Sequence, residues 1–401
     1  MSHSDHALAV VLAISEGREL LPLTANRATS AVPFGGIYRT IDFTLTNCLH
    51  SGLRRILVMS QYKSHSLHKH LRDGWSIFNP EIGEFVTPIP PQIIGDRFGY
   101  GGSAEALQQN MYLLERNHAN VVMILCGTDI YRMDYAAMIE FHRRQDADVT
   151  VAYLPEDFPD SDPALPLLDI GDDEQIREIA PGRKGTRPAS MGVYAFSKRV
   201  LLEALDSRPA GSWGAAGVGD ELLASLLGRA RVLAYRFGGA EGRVSQDRYW
   251  RRMSSLDIYY QSNMDLLRHE TPLDLYQADW PIRTYQPQSP PARTVPGNSC
   301  NEGIFVNSIV AGGTVIAGGG VNHSILCART FIDDAATVEN AILFPGVQVG
   351  EGAELRNCIV DKHVVIPPGE KIGVDPKRDR QRFVVTDNGI AVVPKNYEFG
   401  A

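Results

Sequence analysis

Four short segments near the C-terminus share one pattern: Asn307-Ser-Ile-Val310, His323-Ser-Ile-Leu326, Asn340-Ala-Ile-Leu343 and Asn357-Cys-Ile-Val360, the last three starting 17 residues apart. Within each of those three units an aliphatic side chain recurs six and twelve residues on. Ile332 and Val338 follow Leu326, Val349 and Leu355 follow Leu343, and Ile366 and Ile372 follow Val360. A period of six over successive coils leaves little freedom of fold. Every sixth side chain points into a narrow prism and stacks on its equivalent in the next coil, so residues 301–401 are expected to form a left-handed parallel β-helix of hexapeptide repeats with a C-terminal tail. Gly312, Gly318, Gly346 and Gly350 are expected at its corners, where a positive φ or close backbone approach is needed. His323 and His363 raise the alternative of a general base, against the plainer reading of surface residues at coil corners.

Residues 1–270 follow a different rule. Apolar runs of strand length at 7–13, 53–60, 120–126 and 148–154 alternate with helical periodicity at 103–116 and 134–145. Such alternation implies an α/β domain with a mostly parallel sheet. The run Val121-Val-Met-Ile-Leu-Cys126 is apolar throughout and should be central. Ligands of open sheets bind beyond the carboxyl ends of the strands, which directs attention to the loops after Ala13 and Cys126. Between the two regions, residues 271–300 carry Pro272, Pro281, Pro287, Pro290, Pro291 and Pro296 and read as a linker.

Composition narrows the partners. The 401 residues have a net charge of −8, without the basic face that nucleic acid requires. The five cysteines, Cys48, Cys126, Cys300, Cys327 and Cys358, are spread without metal-ligand spacing, so reduced and mostly buried thiols are expected. The first apolar run is too short to span a membrane, and Asp5 stands where a secretory signal would be basic. A cytoplasmic protein is expected.

Longer motifs resemble a known family. The block Arg39-Thr-Ile-Asp-Phe-Thr-Leu-Thr-Asn-Cys-Leu-His-Ser-Gly-Leu-Arg-Arg55 is similar to the R-x-I-D-F-x-L-S-N-C-x-x-S-G-I-R-R block of bacterial ADP-glucose pyrophosphorylases, the glucose-1-phosphate adenylyltransferases. Gln61-Tyr-Lys-Ser-His-Ser66, Gly74-Trp75, Ser190-Met-Gly-Val-Tyr-Ala-Phe196 and Trp280-Pro-Ile-Arg-Thr-Tyr285 extend the resemblance along the chain. It implies a Rossmann-like nucleotidyltransferase domain, Mg²⁺-dependent adenylyl transfer from ATP to glucose 1-phosphate for glycogen synthesis, and allosterically regulated tetramers.

The residues that carry this chemistry in the family are altered here. The family's glycine-rich L-A-G-G-x-G-T-R-L loop reads Leu12-Ala-Ile-Ser-Glu-Gly-Arg-Glu-Leu20, which keeps Gly17, shifts the basic residue to Arg18, and brings Glu16 and Glu19 toward a polyanion. The two metal carboxylates become Thr128 and Arg252. Magnesium demands oxygen ligands, and a guanidinium has no lone pair to give. Asp129 is a possible rescue, although neighbours on an extended segment point to opposite faces. The sugar-phosphate clamp F-V-E-K-P has no counterpart, leaving Arg183 or Lys184 as substitutes and Ser190 as a sugar contact. On the nucleotide side Gln61, Gly102 and Ser103 remain, whereas the effector lysine of R-A-K-P-A-V is Thr29.

Three readings stay open. The leading one is a non-catalytic or strongly impaired regulatory or structural subunit, without cofactor, in a homo- or hetero-tetramer with a catalytic subunit of the family. The second is an active adenylyltransferase using Mg²⁺ at a rearranged site. The third is a sensor that binds a sugar phosphate or nucleotide through Arg252 and Arg183.

Overall fold

A computed structural model describes residues 7–94, 97–155, 165–180, 188–209, 211–214, 217–239, 242 and 248–400. The chain forms two compact units. One comprises residues 1–16, 41–252 and 278–282, and the other residues 17–40, 253–277 and 283–401.

The first unit is built on a nine-stranded sheet. Its strands are β1 (Ala7–Ala13), β2 (Arg55–Ser60), β3 (Phe85–Ile89), β4 (Val121–Cys126), β5 (Val149–Leu154), β6 (Leu167–Ile170), β7 (Ile176–Ala180), β8 (Ala189–Ser197) and β9 (Val232–Arg236). They lie in the order β7-β6-β8-β4-β1-β2-β3, with β5 pairing both β8 and β9. Only β7 and β8 run against the other strands of this sheet, so it is mostly parallel. The apolar run at 121–126 is central as expected, between β1 and β8, and Val122 and Ile124 are fully buried with Leu8, Val10 and Phe196.

Helices cover the sheet where periodicity places them, with one difference. The expected helix over 103–116 is broken into Ser103–Gln109 and Met111–Arg116. Asn110 sits at the break, where its side-chain amide donates to the Tyr100 hydroxyl and the Ala106 carbonyl. An Asn side chain that competes with the backbone for hydrogen bonds favours such interruptions. Helix Tyr135–Arg144 starts on Asp134, whose carboxylate accepts the Ala136 N–H at 2.9 Å. The long motif around Asp42 has a packing role. Buried Asp42 Oδ1 lies 2.6 Å from His70 Nε2 and accepts the Trp75 indole N–H at 2.9 Å, tying helix Thr40–His50 to helix His65–Trp75.

In the second unit the hexapeptide region is a parallel β-helix. Leu326, Ile332, Val338, Leu343, Val349, Leu355, Val360, Ile366 and Ile372 all lie in one buried cluster, at the positions set by the period of six. Register along one face runs Ile309↔Ile325↔Ile342↔Ile359↔Val392. Arg293–Val295 pairs with Val315–Ala317, so the proline-rich stretch already supplies a strand to the first coil.

The corners differ from expectation. Gly318 and Gly346 have positive φ, and a Cβ at Gly350 would come within 2.8 Å of backbone atoms of the next coil. Gly312 meets neither condition, and its neighbour Gly313 takes the left-handed position at φ +78. The first residue of each repeat unit turns a corner too: Asn307, His323, Asn340 and Asn357 have φ between 43 and 49. Asn tolerates that region best among residues other than Gly. Asn307 Nδ2 and His323 Nδ1 are 2.8 Å apart, and His363, at φ 60, packs where a Cβ on Gly346 would stand. Both histidines are corner residues. Asn357 is exposed, so a change there isolates the backbone effect. Asn357→Val is expected to lower stability by about 1–2 kcal/mol and Asn357→Gly to leave it unchanged or raise it, as read from thermal unfolding midpoints.

Cys48, Cys327 and Cys358 are buried, Cys126 is half-buried and Cys300 exposed, all as free thiols. Among the described residues no helix is long and apolar enough to cross a membrane.

Candidate functional site

The first unit contains a cleft of about 390 Å³ beyond the carboxyl ends of β1, β2 and β4. Leu12, Ile14, Ser15 and Glu16 form one wall, Gln61 and Tyr62 another, Gly101 to Ser103 a third, and Cys126, Thr128, Gly192 and Tyr194 line the base. Sheet topology thus brings together Gln61, Gly102 with Ser103, and Thr128 from three separate places in the sequence.

Several of the groups expected to meet a nucleotide are engaged with the protein. The Gln61 amide accepts the Tyr100 N–H through Oε1 and donates to the Tyr100 carbonyl at 3.2 Å through Nε2. Ser103 Oγ accepts the Val218 N–H at 2.9 Å. The Gly101 N–H donates at 2.7 Å to Glu105, a buried carboxylate that sequence reasoning missed because it replaces no recognised ligand. Gly17 belongs to the other compact unit, where it holds φ +72 and a Cβ would meet Thr29 Oγ1 at 2.4 Å. Its left-handed turn leads into the single turn Arg18–Leu20, with Arg18 exposed. Thr29, at the effector-lysine position, is buried against that turn. Arg183 and Lys184 lie outside the described residues. Ser190 is only 2% exposed; its hydroxyl accepts the Gly192 N–H at 3.3 Å and does not line the cleft.

At the two altered metal positions the geometry is specific. β4 ends at Cys126, so Thr128 and Asp129 are no longer on an extended segment. The Thr128 hydroxyl therefore donates to Asp129 Oδ1 at 3.3 Å, and the two side chains converge where the sequence pattern predicts opposite faces. Asp129 is fully buried, and its Oδ1 lies 3.9 Å from Arg252 Nε. The Arg252 side chain is 29% exposed, and its Nη2 would be 3.3 Å from a Cβ on Gly192 at the cleft base. Arg252 also lies over the Trp250 ring, 5.7 Å from its centroid. Burial, followed by the Asp129 charge, pushes the Cys126 thiol up to about 12, so it is a thiol at neutral pH.

These donors do not fit a divalent cation. One neutral hydroxyl already directed at Asp129, one buried carboxylate beside a guanidinium, and the guanidinium itself replace two open carboxylates. At about 4 Å the guanidinium would repel a dication by roughly 8 kcal/mol at an effective dielectric near 20, twice the unit-charge figure. Among the described residues no group of three or more His, Cys, Asp or Glu side chains is placed to hold a metal ion.

A mostly parallel sheet with a cleft at the ends of its central strands, in one chain with a hexapeptide β-helix, defines a nucleotidyltransferase-type protein. The nucleotidyl transferase family profile matches residues 8–269, and that of the GlmU-like C-terminal hexapeptide matches residues 290–393. Similar proteins include "Glucose-1-phosphate adenylyltransferase 2" of Vibrio cholerae, 49% identical with 98% of both chains covered. The "Glucose-1-phosphate adenylyltransferase" of Thiobacillus denitrificans is 40% identical over 96% of this chain and 89% of its own. That of Dechloromonas aromatica is 38% identical over 98% and 92%. The chain belongs to the glucose-1-phosphate adenylyltransferase family.

Proposed function

We propose that this chain is a non-catalytic regulatory or structural member of the glucose-1-phosphate adenylyltransferase family, acting in a tetramer with a catalytic subunit of that family. The observation that carries this reading is the Thr128, Asp129 and Arg252 arrangement, in which a guanidinium stands beside the one acidic group at the strand end. Transfer of an adenylyl group depends on a cation that draws charge off the phosphates as it builds up. Arg252, which lies over the Trp250 ring, brings a single positive charge and hydrogen-bonds phosphate oxygens without the Lewis-acid polarisation that a divalent metal supplies. Glu16, at the variable position of the family's glycine-rich loop, adds negative charge to the cleft wall beside Ile14 and Ser15, which replace two of that loop's glycines.

A pyrophosphate-release assay with ATP, glucose 1-phosphate and Mg²⁺ tests the reading. The pure chain is expected to turn over at least about a thousandfold more slowly than a catalytic relative, the result of losing roughly 4 kcal/mol of transition-state stabilisation. Mixed with that relative, it is expected to co-elute as a tetramer and change the response to effectors.

One observation favours the active-enzyme reading: Asp129 turns toward Thr128 and stands one residue from the family's ligand position. Robust turnover by the pure chain, abolished by Asp129→Asn, would establish that reading in place of ours.

A further inference from the structure

The charge arrangement behind the cleft points outward. Asp129 is fully buried and Arg252 partly exposed; Nε is the guanidinium atom that faces Asp129, while Nη2 reaches Gly192 at the cleft base. Arg252 Nη2 thus lies beside Gly192, a residue that lines the cleft, and the buried Asp129 lies on the Nε side of the guanidinium. A bulge opens the way. Between the pairs Val151↔Tyr194 and Tyr153↔Ser190, two residues' advance along β5 is matched by four along β8, and Gly192 sits in that bulge at φ +73. A side chain at Gly192 would crowd Nη2, so the glycine keeps the guanidinium in reach of the cleft.

Other charges near the cleft set what can bind. Glu16 lines the wall, and Asp220 follows Gly219 on the opposite side. Burial and the neighbouring Glu221 raise the Asp220 carboxyl, and the Arg252 charge lowers it. Apolar Leu12 and Ile14 and the half-exposed ring of Tyr62 offer a surface for a sugar or a base. A guanidinium recognises phosphate through paired N–H donors, a fit that a metal-ligating carboxylate cannot offer without a metal between them.

We propose that this cleft binds the diphosphate of a nucleotide or nucleotide sugar with Arg252 as the resident cation, so that binding needs no divalent metal and gains nothing from one. The proposal rests on the reading of the site as one that does not run metal-dependent turnover. In the absence of metal, Arg252 supplies the charge neutralisation that a divalent ion gives in an acidic site, and Asp129 holds it in place from behind.

Calorimetry on the full chain, with ADP-glucose and separately with inorganic pyrophosphate, is run in EDTA and again in Mg²⁺. ADP-glucose is expected to bind in EDTA with affinity no weaker than in Mg²⁺, and pyrophosphate to compete with it. Loss of one charged hydrogen-bonding group is expected to weaken ADP-glucose binding by roughly 10- to 100-fold in Arg252→Gln. Because that change leaves Asp129 buried opposite a neutral group, the paired variant Asp129→Asn/Arg252→Gln is measured beside it and should show the same loss with normal melting. Arg252→Lys keeps the charge without the fork and should fall between. Failure to bind in EDTA, binding that appears only with Mg²⁺, or full affinity in the paired variant overturns the proposal. The two ideas part cleanly: pyrophosphate release by the pure chain sinks the non-catalytic reading, whereas the EDTA titration alone decides this one.

Discussion

Replacing Thr128 and Arg252 together by aspartate is expected to raise pyrophosphate release by at least about 100-fold over the parent chain, in a Mg²⁺-dependent manner. Each aspartate supplies hard oxygen ligands, and removal of the guanidinium lifts the repulsion of roughly 8 kcal/mol that opposes a dication there. The two changes should be strongly non-additive. Thr128→Asp alone places a carboxylate next to Arg252, which would neutralise it, and Arg252→Asp alone leaves the strand end with a hydroxyl. Recovery should be partial, because Ile14, Ser15 and Glu16 still line the cleft where the family has a glycine-rich loop. A second readout is independent of turnover. Without metal the double variant gathers three carboxylates, at positions 128, 129 and 252, and should melt lower than the parent, and millimolar Mg²⁺ should restore several degrees through preferential binding to the folded state. A double variant with neither a Mg²⁺-dependent melting shift nor any rate would show that positions 128 and 252 no longer frame a metal site.

The sequence and the structure agree most closely where a single periodicity decides the outcome. Leu326, Ile332 and Val338 and their equivalents one and two coils later are buried because the prism has room for one inward side chain per face. The all-apolar run at 121–126 was equally legible, since only a strand covered on both faces tolerates it. What escaped depends on contacts that no local pattern encodes. The left-handed corners fell to Asn307, His323, Asn340 and Asn357 as well as to glycine, because Asn and His enter that backbone region more readily than other residues with a side chain. Residues 17–40, which the alternation of strands and helices assigns to the α/β region 1–270, group instead with the β-helix unit.

At the site, the missing carboxylates were visible as letters, but their consequence was not. Opposite faces for Thr128 and Asp129 followed from strand geometry, and the strand stops at Cys126. The approach of Arg252 to both Asp129 and Gly192 joins three distant segments and requires the bulge in β8, which leaves no mark in hydrophobic alternation.

A stability test of comparable size lies in the second unit, where Arg27 Nη2 donates to Asp361 Oδ1 at 2.7 Å with both side chains buried. Breaking a buried pair by removing one partner leaves an uncompensated charge, so Asp361→Ala should cost about 3–5 kcal/mol, read from denaturant or thermal unfolding. The environment makes the loss worse at low pH. Burial, followed by Arg39 and Arg27, lowers the Lys362 amine to about 7, and Asp361 is one of the groups that hold it up. Because its folded value lies below the unfolded one, the unfolded chain binds more protons between about 7 and 10.5, and stability rises with pH across that window. Below about 7 the charged amine is present in both states and its burial penalty is complete. In Asp361→Ala the folded value falls further, so the window opens at lower pH and the variant recovers stability over a wider pH range than the parent, with the same limiting slope. Lys362→Met should remove that slope and stabilise the parent at pH 6, since the methionine occupies a similar volume without a charge to desolvate. Equal pH slopes in the parent and Lys362→Met would mean that another group carries the linkage, and an Asp361→Ala protein as stable as the parent would show that solvent reaches Arg27 once its partner is gone.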